Sequence, residues 1–73
     1  MMDARSASGL VSFLDQIDGM RYQSVRDLQR VLESPDMVAV PGVYADLLDA
    51  LVHLERAAIA LKVAKMKLRR ISE

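Results

Sequence analysis

Residues 43–70 read VYADLLDALVHLERAAIALKVAKMKLRR, and the spacing of the apolar side chains in this stretch decides the fold. Leu47, Leu51, Leu54, Ala58, Leu61 and Leu68 recur at alternating steps of four and three, with Lys65 as the one charged interruption. That period is the signature of an amphipathic helix. A helix from Val43 to Arg70 is about 42 Å long at 1.5 Å per residue. Tyr44, Leu48, Val52, Ile59, Val63 and Met66 form a second apolar line beside the first, so the apolar arc is wide enough to serve two contacts at once.

Working back from this helix, Pro41 and Gly42 mark its start, since proline suits a first helical turn. Asp46 and Asp49 near its amino end, and Lys65, Lys67, Arg69 and Arg70 near its carboxyl end, complement the helix macrodipole. Upstream, Leu10, Phe13, Leu14 and Ile17 form one helical stripe. Ser6 or Ser8 would cap it, and Gly19 would supply a left-handed terminus. This predicts a short first helix over 8–18. A second is predicted over 24–34, with Val25, Leu28, Val31 and Leu32 inward, Ser24 and Asp27 resembling a capping box, and Pro35 closing it. Met37 to Val40 reads as an extended connection, because no second strand exists to pair with it. The expected fold is all-α, a single domain over 1–73: two short helices packed on a long third one over 43–70.

A 73-residue chain without cysteine has no disulfide and no cysteine-based metal site to supplement its small core. His53 is the lone histidine and falls on the polar side of the long helix beside Asp49 and Arg56, a solvated position rather than a catalytic one. The serines fall at expected helix starts, where capping explains them, and no glycine-rich phosphate loop is present. The sequence therefore points away from an enzyme and implies no cofactor or metal. No secretory signal and no run approaching about 20 apolar residues is visible, so a cytoplasmic setting without membrane insertion is expected.

The formal net charge is zero, yet residues 1–55 carry nine acids and four bases while 56–73 carry six bases and one acid. An antiparallel homodimer centred near Ala58 would set Asp46, Asp49 and Glu55 of one chain against Lys62, Lys65 and Arg69 of the other. Apolar burial would supply the affinity and charge the orientation. The expected function is a non-catalytic protein–protein interaction module, such as a small adaptor, chaperone-like subunit or inhibitor. Its contact line would be Leu51, Leu54, Ala58, Leu61, Lys62, Lys65, Met66, Leu68 and Arg69. The alternative is a dimeric DNA-binding regulator in which residues 24–34 act as the second helix of a helix-turn-helix, with Gln23, Ser24, Arg26, Gln29 and Arg30 presented to DNA. Asp15, Asp18, Asp27 and Glu33 would repel phosphates in that arrangement.

Overall fold

The computed structural model describes residues 2–72, with only the backbone of Ser72. The chain is all-helical: α1 spans Ala4–Leu32, a 3-10 helix spans Pro35–Ala39, and α2 spans Pro41–Ser72. The two long helices fold back on each other as an antiparallel hairpin whose principal extents are 53 × 15 × 13 Å. The long carboxyl-terminal helix stands where the leucine period puts it, extended by two residues at each end.

The amino-terminal half departs from the expectation of two short helices. Residues 19–23, expected as a turn, are helical, and α1 continues through them for 29 residues without a break. No glycine among the described residues has a positive φ, so Gly19 does not end a helix. The cause is tertiary. Ala7, Val11, Leu14, Asp18, Arg21, Val25, Leu28 and Leu32 are half-buried or buried at steps of four and three, the seam of an antiparallel coiled coil. Two polar residues in mid-seam, Asp18 and Arg21, give residues 15–24 the look of a surface segment. Packing against α2 outweighs the poor helix propensity of glycine, which costs about 1 kcal/mol against alanine.

The caps also differ from expectation. Asp3, rather than Ser6 or Ser8, caps α1: its Oδ1 accepts the Ser6 backbone N–H at 2.7 Å. That bond holds the Asp3 carboxyl below its ordinary range. Ser24 lies exposed in mid-helix and caps nothing. Ser34 caps the 3-10 helix instead, accepting the Asp36 N–H at 3.4 Å. Met37 to Ala39, expected to be extended, belong to that 3-10 helix, which reverses the chain in a few residues ahead of Pro41. The Val40 carbonyl then accepts the Tyr44 N–H at 3.1 Å and starts α2.

The hairpin has almost no interior. Only Ala7, at 0 % exposure, and Val25, at 7 %, are buried among the described residues, and no large side chain is fully enclosed. The chain exposes 5598 Å², against about 4,500 Å² for a compact monomer of this mass. Its radius of gyration is 16.7 Å, where about 11 Å is usual for this length.

Candidate functional site

Every half-buried α2 residue on the leading leucine line faces α1. In heptad terms the α1 a and d positions run from Ala7 to Leu32, and those of α2 include Leu47, Leu51, Leu54, Ala58, Leu61, Lys65 and Leu68. Leu51, Leu54, Ala58, Leu61, Lys65 and Leu68, expected to meet a partner, therefore sit against α1 of their own chain. In the single hairpin α1 occupies that surface, so a homodimer centred on Ala58 would require the hairpin to open. The reason is length: the expected companions were two helices too short for α2, whereas one helix of 29 residues covers its seam from end to end. Lys62, Met66 and Arg69, also expected at the contact, do face outward.

The seam holds a polar layer at mid-height. Lys65 Nζ donates to Asp15 Oδ1 at 2.9 Å across the two helices, although the Lys65 side chain is only 14 % exposed. Arg21 Nε donates to Asp18 Oδ1 at 2.8 Å. That hydrogen bond, with smaller help from the Arg21 and Lys65 charges and some opposition from desolvation, holds the Asp18 carboxyl below its ordinary range. In the register set by Lys65 and Asp15, Arg21 lies level with the turn carrying Ala57 and Ala58, whose methyl groups leave room for its aliphatic stem.

Two apolar surfaces remain uncovered, and they lie on opposite sides of the hairpin. In an antiparallel pair the e flanks of both helices share one side and the g flanks share the other. On the e side, α2 presents Leu48, Val52, Ile59 and Met66, with Val63 just beyond, and Ile59 is 67 % exposed. Lys62 and Arg69 edge the carboxyl-terminal half of this line and Glu55 its amino-terminal half. On the g side, α1 presents Leu10, Phe13, Ile17 and Met20, with Phe13 at 64 % and Met20 at 71 % exposure. On the same side α2 carries the small side chains of Ala50, Ala57, Ala60 and Ala64, with His53, Lys67 and Ile71 also on that flank. The α2 line was legible as the second apolar stripe of the sequence. Of the α1 stripe, Leu10, Phe13 and Ile17 were legible together with Leu14, but Leu14 turns into the seam and Met20 lay outside that reading.

At the turn, an open hollow of about 350 Å³ is lined by residues 32–35 together with Met37, Val38, Pro41 and Tyr44. Val38 projects from this turn, 86 % exposed. His53 is exposed and lies 3.4 Å from Asp49 through its Nε2. Among the described residues no group of three or more His, Cys, Asp or Glu side chains could hold a metal ion. No described helix is long and apolar enough to cross a membrane. With residues 19–23 helical, α1 supplies no helix-turn-helix, so the geometric premise of the DNA-reading alternative is gone.

No family model matches the chain, and neither a curated protein nor a solved structure is significantly similar to it.

Proposed function

We propose that this protein is a non-catalytic interaction module, an adaptor or inhibitor-type helical hairpin, whose α2 line Leu48, Val52, Ile59 and Met66 docks an amphipathic helix of another protein. The observation that carries this reading is the exposure of that line on a rod with two buried residues among those described. A soluble monomer seldom leaves a contiguous apolar stripe bare unless it serves an interface. From Leu48 to Met66 the stripe runs about 27 Å at 1.5 Å per residue, the reach of a helix of five turns. Helix-in-groove recognition uses such i, i+3, i+4, i+7 anchors.

The edge of the stripe selects the partner. Lys62 flanks it beside Ile59 and Met66 and Glu55 flanks it beside Val52, so the complementary helix carries an apolar face bordered by an acid toward one end and a base toward the other. The ions contribute orientation and on-rate while the aliphatic contacts supply affinity. This keeps the association expected from the sequence and moves it from the seam to the outward line. The setting we propose is the cytoplasm, with which a cysteine-free chain is compatible.

Site-specific photocrosslinking in the native cell tests the proposal. A photoreactive residue at Val52 or Ile59 should give a discrete protein adduct, and one at Gln23 on the opposite helix should not. The adducted protein, once purified, should bind the hairpin and lose that binding on Ile59→Asp. An unchanged affinity for Ile59→Asp would overturn the assignment.

A further inference from the structure

We propose that the other side of the hairpin, the g side, is a self-association face: a second copy of this chain packs on it about a two-fold axis running along the rod, giving a four-helix bundle with both turns at one end. The proposal rests on the reading of the protein as an association module but uses a different surface from the partner-docking line. Its basis is a match of large side chains to small ones. Leu10, Phe13, Ile17 and Met20 form a ridge on α1, and Ala57, Ala60 and Ala64 form a trough on α2.

The register brings the Ile17–Met20 half of the ridge level with the trough. The Lys65–Asp15 bond fixes how the helices slide past each other. In that register Met20 lies level with the interval between Ala57 and Ala60, and Ile17 with the interval between Ala60 and Ala64. A rotation about the long axis preserves height and places α1 of one chain over α2 of the other. Ile17 and Met20 then each meet a gap between alanines, the knob-into-hole condition, while Phe13 and Leu10 fall level with Lys67 and Ile71 of the other chain, where Ile71 and the aliphatic stem of Lys67 cover them. A two-fold axis across the rod would instead stack ridge on ridge and trough on trough, leaving a void over the alanines, and such cavities are destabilising.

The area is also sufficient. A face 53 Å long and 15 Å wide is about 800 Å², which is what each partner contributes to an interface of standard size. The surplus surface of the lone hairpin over a compact monomer is of the same order. Charges at the rod ends lie at the surface and are screened within about 10 Å, so burial decides the arrangement. The interface is isologous, as closed dimers require.

Sedimentation equilibrium should give a species of twice the 8.1 kDa chain mass at micromolar concentration. Ala60 is exposed in the single hairpin, so Ala60→Glu leaves the intramolecular seam untouched. It should raise the dimer dissociation constant at least about 100-fold, while Ile59→Asp, one residue away on the other side, should leave the dimer intact. Mixing a Met20→Cys chain with an Ala60→Cys chain should give the mixed disulfide in preference to either like-with-like disulfide. A wild-type monomer at about 1 mM, an Ala60→Glu chain that still dimerises, or a Met20→Cys chain that crosslinks to itself in preference to Ala60→Cys would each overturn the proposal. Failure of the partner-docking line would appear separately, as unchanged adducts with Ile59→Asp and an intact dimer.

Discussion

Lys65 and Asp15, fifty positions apart in the chain, are joined at 2.9 Å across the hairpin, and the lysine is the more enclosed of the two. A cation in an apolar seam is costly unless paired. Its pairing therefore makes one sliding register of α1 on α2 better than those one heptad away. This is the use to which a single polar residue at an a position is best suited.

Lys65→Met should therefore leave the thermal midpoint unchanged or raise it, since an apolar side chain of similar length refills the seam. The same variant should lose uniqueness, showing extra amide resonances from hairpins in shifted register. A single set of resonances together with a lowered midpoint would contradict a register role for the pair.

Gly19 sits in the middle of a helix, with no heavy atom near the place its Cβ would take. Gly19→Ala should stabilise the fold by about 0.5–1 kcal/mol through helix propensity and a less flexible unfolded chain. For a domain of this size that is a rise of about 3–7 °C in Tm. A fall in Tm would show that α1 breaks at residue 19 in solution.

The carboxyl of Asp18 is held low by Arg21 in the folded state. A group whose pKa is depressed on folding contributes stability that is complete above its unfolded pKa, about 3.9, and is lost as pH falls through the folded value. Thermal midpoints measured downward from pH 5 should decline as pH passes below about 4. Asp18→Asn should flatten part of that decline. Asp3 behaves in the same direction at the start of α1, so Asp3→Asn should flatten a further part.

Seam and outward residues of α2 should separate cleanly in a truncation series. Leu54→Ala and Leu61→Ala remove half-buried seam contacts and should cost about 1–3 kcal/mol. Ile59→Ser, on the exposed line, should stay within about 0.5 kcal/mol. Equal costs at the three positions, measured by urea denaturation, would mean that Ile59 is enclosed in solution by something the single hairpin does not contain.

The single helix over 43–70 was settled by local pattern alone: a strict step of four and three, a proline at the front and charges matched to the dipole specify it without reference to the rest of the chain. The excess of apolar surface over available cover was equally legible, because it follows from length and composition. The continuity of α1 was not, since Gly19 and the polar pair Asp18 and Arg21 read as an ending wherever no second helix is considered. Only the packed hairpin, in which Asp18 and Arg21 turn toward α2 while Gly19 stays on the outer surface, makes this local weakness part of a continuous helix. It is also the packing that divides the wide apolar arc of α2 into an intramolecular face, an outward line and an alanine trough. A helix periodicity states how many contacts a surface can make, and the tertiary structure alone assigns which neighbour takes each one.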